Sequence, residues 1–146
     1  ETLAGGGLPT AQTLSVDYQH RPTDMLDTGT DTHSWRIRRL RFLDSVPAVL
    51  EDIWLDASRA SNLDVSMLPE SLYHFYQSQL GFWISRTEDS VGVGAVPDWA
   101  PARFGLEPAS PCGVVDRIAW AQDATPVEYS RSWFNPAIAR YVARLI

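Results

Sequence analysis

Arg38-Arg39-Leu40-Arg41, with the run Ala48-Val49-Leu50-Glu51-Asp52-Ile53-Trp54-Leu55 that follows it, is the stretch on which both fold and site turn. In a strand, residues two apart share a face, so Arg39 and Arg41 project with Trp35 and Ile37 while Leu40 and Phe42 line the other side. Two guanidiniums therefore sit on a largely apolar face. The second run repeats the anomaly, because Glu51 shares its face with Val49, Ile53 and Leu55. A buried charge without a partner costs several kcal/mol or is neutralised, so these groups need each other or a ligand. A connecting loop of Asp44 to Val46 sets Leu43 against Pro47 and Arg39 against Glu51. A two-residue loop would put the arginines and the acid on opposite faces unless a bulge restored the parity.

Working outward, Leu72, Phe75, Tyr76, Gln79 and Leu80 have the three-and-four spacing of an amphipathic helix, with Ser71 as N-cap and Gly81 as its stop. Residues 82–96 read as a long strand with a bend or bulge at Gly92 and Gly94. Asp98 to Phe104 reads as a short helix with Pro101 in its first turn and Gly105 closing it. Val114 to Ala121 and Val127 to Phe134 alternate as strands across a turn, and Arg140 to Leu145 reads as a closing edge strand. Toward the N-terminus, Leu14, Val16 and Tyr18 mark a strand from Thr13, whereas residues 1–12, with Gly5-Gly6-Gly7, read as a linker or expression remnant. Residues 13–146 then form one domain. Strands joined by hairpins with few helices between them predict an α+β fold, an antiparallel β-sheet covered by helices on one side.

A chain of 146 residues, 45% hydrophobic, is long enough to bury a core, and six tryptophans with a net charge of −6 argue against disorder and against a nucleic-acid surface. All twelve basic residues are arginine. Guanidinium forks onto carboxylate or phosphate where ammonium does not, although a complete lack of lysine reads first as genomic base composition. The single cysteine, Cys112, excludes an internal disulfide and a thiolate metal cluster, and His20, His33 and His74 have no ligand spacing, so neither metal nor cofactor is expected. With no apolar run of membrane-spanning length and no signal peptide in view, the expected compartment is the cytoplasm.

The order of these pieces resembles the UTRA domain, the effector-sensing half of GntR-type bacterial transcription regulators of the HutC subfamily. The resemblance runs through Arg39-Leu40-Arg41, Glu51, Glu70-Ser71-Leu72-Tyr73 and Arg86-Thr87-Glu88. It continues through Phe104-Gly105-Leu106 with Pro108 and Pro111, then Asp116-Arg117-Ile118, and ends with Pro126-Val127-Glu128-Tyr129-Ser130-Arg131-Ser132. It implies the chorismate-lyase-like fold, homodimerisation through this domain, and a small anionic metabolite as partner. Members that sense sugar phosphates hold the phosphate with residues matching Arg39, Arg41, Ser71 and Tyr73, and the sugar hydroxyls with residues matching Glu51 and Glu128. Phe134 stands where such members resemble a tyrosine, and the polar stretch from Arg21 to Ser34 departs from the family's short helix, which bears on any pocket lid there. A chain starting at Glu1 without a basic helix-turn-helix segment is read as a fragment, with DNA bound only through an N-terminal winged-helix domain outside it.

Each site residue has a structural alternative. Arg39 and Arg41 can close a sheet face by pairing with Glu51 and Glu88; Ser71 can be a cap alone; Tyr73 can be a core aromatic; Glu128, with Ser130 and Ser132, can be the solvated side of an edge strand. Arg86 and Glu88 read as a salt-bridge pair, at most behind the ligand contacts. Three functions compete: an effector-binding domain of a regulator, a repressor in the simplest reading; a chorismate-lyase-like enzyme; and a dimerisation module without a ligand. No nucleophile and base pair suited to catalysis is visible.

Overall fold

The computed structural model describes residues 2–4, 9–22 and 32–144. Six strands make one antiparallel sheet: β2 (Pro9–His20), β3 (His33–Leu43), β4 (Val46–Asp56), β5 (Ile84–Ala95), β6 (Pro111–Ala121) and β7 (Pro126–Phe134). Their order is β2-β3-β4-β7-β6-β5, which leaves β2 and β5 at the edges. β1 (Thr2–Ala4) and β8 (Arg140–Val142) form a separate two-stranded ribbon. Residues assigned to a linker thus include strand β1 and the start of β2 at Pro9, and the closing strand pairs with β1 instead of extending the main sheet. The polar stretch read as a possible lid falls largely outside the described residues.

The β3–β4 hairpin reaches the expected register by a different route. Its loop is the two-residue turn Asp44-Ser45, both with positive φ (49° and 65°), the geometry that matches strand twist. That shorter loop would have reversed the parity, but the pairing shifts between Arg41 and Phe42, so Arg41 faces Val49, Phe42 faces Pro47, and Ala48 is the bulged residue. Arg39 consequently faces Glu51.

Helix α1 (Leu72–Phe75) runs into a wider π turn at Tyr76–Leu80 and ends at Gly81 in the left-handed conformation, φ 76°. The Ser71 hydroxyl accepts a bond from the His74 N–H at 3.3 Å, the expected cap. Leu72, Phe75 and Tyr76 pack on Ile37, Ile53, Leu55 and Val127, which fixes this helix over the face that carries Arg39 and Glu51. Residues 135–141 cover the other end of that face, where Ala139, Ile138 and Tyr141 meet Val49, Val115 and Phe134. The opposite face is not bare. Where a helix was expected from Asp98, only a 3-10 turn at Ala102–Phe104 forms, and Phe104, Trp99 and Val96 pack on Leu40, Leu50 and Trp133. The α-helix with its π turn therefore covers one face, a loop with one 3-10 turn covers the other, and the architecture is mostly antiparallel sheet.

Two glycines permit close packing between strands. No bulge occurs at Gly92 or Gly94; a Cβ on Gly94 would lie 2.7 Å from Val114 Cγ2. At Gly113 a Cβ would lie 2.1 Å from Phe134 Cζ, because the ring lies across its cross-strand partner. Gly113→Ala should therefore lower stability by roughly 1–3 kcal/mol through overpacking, measured by urea unfolding; an unchanged midpoint would show that the ring can move aside.

Candidate functional site

On the helix-bearing face the strand registers bring polar side chains from five strands into one patch. Arg39 lies opposite Glu51, Glu51 opposite Ser132, and Ser132 opposite Val115. One row along, Ile53 faces Ser130, Ser130 faces Arg117, and Arg117 faces Asp89. Glu128 stands beyond, opposite Leu55 and Ala119. Arg41, Val49, Phe134 and Gly113 make the row on the other side. The patch lies between the helix cluster and the C-terminal cluster, with apolar neighbours at both ends.

Arg39 is the most buried of the charged members, 1% exposed. Its Nη2 donates to the Glu70 carbonyl at 2.6 Å, joining the guanidinium to the residue before the helix cap. Toward Glu51 it is poorly served, since Nε stands 3.9 Å from Oε1 and both atoms are buried without a hydrogen-bond partner within the protein. Arg41, whose side chain is 39% exposed, approaches the other Glu51 oxygen at 3.8 Å. Burial pulls the Arg39 pKa down, with Glu51 opposing and Arg41 adding to the fall, which is the signature of a cation short of counter-charge.

Glu128 is 3% exposed, on a central strand and not at an edge as the solvated reading had it. Val127, the extra residue of a bulge opposite Ala119 and Trp120, turns into the helix core and leaves Glu128 on the patch. Burial drives its carboxyl up to about 7; the Tyr76 hydroxyl, which donates to Oε2, pulls the other way, while Glu51 adds to the rise. Tyr73 is likewise raised, by burial first and then by Glu128.

Several members were not singled out from sequence. Arg117 grips Asp89 through two bonds, 2.6 and 2.9 Å, and also bonds the Tyr73 hydroxyl. Tyr141 donates to the same Asp89 at 2.6 Å. The signal was present: Val115, Arg117 and Ala119 put a charge on an apolar alternation just as Ile37, Arg39 and Arg41 do. Tyr76 was read as core only, and it is core and polar contact at once.

Two expected neighbours are elsewhere. Arg86 and Glu88 project from the opposite face of edge strand β5, 3.6 Å apart and both largely exposed, with Arg86 stacked on Trp120 at 4.0 Å. They are the salt-bridge pair that the spacing suggested and lie outside the patch, so Glu88 is no partner for Arg39 or Arg41. Ser71 is exposed and its oxygen is used by the cap. Phe134 does share the face of Glu128, Ser130 and Ser132, but its tip rests on Gly113, which makes it floor more than wall.

Among the described residues no helix is long and apolar enough to cross a membrane, and no group of three or more His, Cys, Asp or Glu side chains is arranged to hold a metal ion.

The chain is 43% identical over 145 residues to the HTH-type transcriptional regulator SmoD of Agrobacterium fabrum, covering 99% of this chain and 62% of SmoD. It is 23% identical over 137 residues to the mannosyl-D-glycerate transport/metabolism system repressor MngR of Escherichia coli, covering 92% of this chain and 53% of MngR. The chain thus spans little more than half the length of these relatives. In fold it is similar to the ligand-binding domain of a GntR-family regulator from Bordetella bronchiseptica, with TM-score 0.87 at 22% identity over 99% of this chain and 96% of that one. It is also similar to the effector domain of PhnF from Mycobacterium smegmatis, with TM-score 0.78 at 22% identity over 99% and 88% of the two chains. The sequence model of the UTRA domain matches residues 6–139, and the chain therefore belongs to the UTRA domain family.

Proposed function

We propose that this domain senses a small anionic metabolite, a sugar phosphate or similar acid, and through it governs DNA binding by an N-terminal domain of a longer regulator of the HutC type, in the cytoplasm. The observation that carries this reading is the pair of buried atoms, Arg39 Nε and Glu51 Oε1, that face one another without a hydrogen bond. An unmet buried donor or acceptor costs ~1–3 kcal/mol, and a ligand that bonds both recovers it. Three guanidiniums, Arg39, Arg41 and Arg117, stand against Glu51, Asp89 and a Glu128 that is only partly ionised near neutrality, so the patch has a surplus of positive charge for an anion.

Arg39 and Arg41 take the acidic end of the ligand, with Ser71 and Tyr73 at the helix start beside them. Glu51 and Glu128 accept bonds from hydroxyl or amine groups, and Phe134, two strands from Arg41 in the same cross-strand row, floors the patch beneath an apolar part of the ligand. The domain adopts the chorismate-lyase-like α+β arrangement without catalysis. The regulator acts as a homodimer and a repressor, the latter supported by the name of MngR. A module that only dimerises would need Arg39 and Arg41 saturated by protein carboxylates, and separations of 3.8–3.9 Å do not support that.

Calorimetry against hexose phosphates, pentose phosphates and sugar acids tests the reading: at least one class should bind and raise the melting temperature, and no response across the panel counts against it. Phe134→Tyr should shift preference among the ligands that bind toward those with a further hydroxyl over this ring, by about 1 kcal/mol for a net hydrogen bond. Identical profiles would make Phe134 packing alone.

A further inference from the structure

We infer that Asp89 and Tyr141 are positioning residues of the patch: together they fix the Arg117 guanidinium beside Tyr73, so that the site is complete only while strand β8 is docked over it. This rests on the anion site proposed above. Arg117 lies on interior strand β6, opposite Ser130 on one side and Asp89 on the other. Asp89 belongs to edge strand β5, where its same-face neighbour Val91 is 54% exposed, yet its own side chain is only 8% exposed. Arg117 and Tyr141 together cover it. The Tyr141 hydroxyl donates to Asp89 Oδ2 at 2.6 Å, while the ring packs with Val49, Val115 and Phe134 at the end of the patch.

The network is larger than an ion pair needs. Arg117 Nε and Nη2 take both Asp89 oxygens, at 2.6 and 2.9 Å, and that fork sets the plane of the guanidinium. A structural pair would be complete at that point. Here Oδ2 also accepts the Tyr141 hydroxyl, and Tyr73 bonds the guanidinium from the helix. The bonds thus run from α1 through β6 and β5 to β8, and β8 pairs with β1, Tyr141 opposite Leu3. Burial pushes the Asp89 carboxyl up, and the bonds from Arg117 and Tyr141 outweigh it, so Asp89 stays an anion. Arg39 and Arg41 share this face, and like charge disfavours a third guanidinium held toward them. Asp89 and Tyr141 supply the hold.

Two measurements test this. The first adds no small molecule: Tyr73→Phe and Tyr141→Phe remove the hydroxyls at opposite ends of the network, singly and together, and urea midpoints are compared. Linked through Arg117 and Asp89, the shift from Tyr141→Phe should be much smaller in the Tyr73→Phe background than in wild type. Strictly additive shifts overturn the inference. The second is calorimetry with glucose 6-phosphate, or whichever sugar phosphate or sugar acid of the panel binds wild type best. Tyr141→Phe keeps the ring and every charge, and should weaken that binding roughly three- to tenfold, the order of one net hydrogen bond. Asp89→Asn separates holding from neutralising. A carboxylate near an anion site repels the ligand, so if Asp89 only offset the charge of Arg117, asparagine would tighten binding; as a positioning residue, its loss weakens binding further than Tyr141→Phe does. Unchanged affinity in Tyr141→Phe, or tighter binding by Asp89→Asn, overturns the inference and leaves the anion site standing. No binding by wild type across the panel overturns the anion site instead, and the midpoints still decide whether the network holds.

Discussion

Glu128→Gln should make the ligand-free domain more stable than wild type at pH 8 and leave it little changed at pH 5. The carboxyl is carried up to about 7 by burial, against an ordinary value of 4.5. The sign follows from proton counting. Between those two values the unfolded chain has already released this proton and the folded chain retains it, so stability falls as pH rises from about 4.5 and levels off above about 7. That interval corresponds to up to about 3 kcal/mol. Glutamine keeps an oxygen to accept the Tyr76 hydroxyl and removes the charge, so the variant escapes the loss. Urea unfolding of both proteins at pH 5 and pH 8 gives a double difference from which histidines and other common groups cancel. An equal stability gap at the two pH values would mean that Glu128 is ionised throughout. The same group links ligand to proton: a ligand that donates to Glu128 favours the carboxylate, so binding at pH 6 should release a proton, visible as a buffer-dependent binding enthalpy.

How far the sequence reaches is clearest at the β3–β4 hairpin. Alternation placed Arg39 and Arg41 on the face of Glu51, and the register agrees, but through a tight turn plus a bulge at Ala48 in place of a three-residue loop. Periodicity constrains faces; it does not distinguish two ways of reaching the same parity. The helix at Ser71 to Gly81 was legible because cap, apolar spacing and stop all coincide, while its widening to a π turn leaves no mark in the spacing. Arg86 and Glu88 were legible as a pair and not as to side, because the bulge at Ser85 and the position of β5 at an edge depend on strand order, a property of the whole chain. Arg117 and Asp89 were missed for a related reason. Each is unremarkable in its own strand, and they become a site only where β5, β6 and β7 meet. The Asp98 segment lacks the apolar spacing of a long helix, and its aromatic residues pack the opposite face as a loop with one 3-10 turn.

The arginine pair should separate binding from folding. Arg41→Ala removes a half-exposed side chain and should leave the fold intact, while weakening an anionic ligand about tenfold to a hundredfold, equivalent to ~1.5–3 kcal/mol for a charge-assisted bond. Arg39→Ala should abolish detectable binding and also destabilise the protein, because Glu51 then loses its buried neighbour and the Glu70 carbonyl loses its donor. Breaking a buried pair from one side costs ~3–5 kcal/mol, most of it the stranded charge. Adding Glu51→Gln to Arg39→Ala should therefore recover much of the lost stability and none of the binding. Arg39→Lys keeps the charge without the fork, and should hold the fold better than the ligand. Were Arg39 only a partner for Glu51, the double variant would bind the ligand as wild type does, and Arg41→Ala would leave affinity untouched. Calorimetric titration beside urea unfolding, on the four variants and wild type, measures both quantities on the same samples.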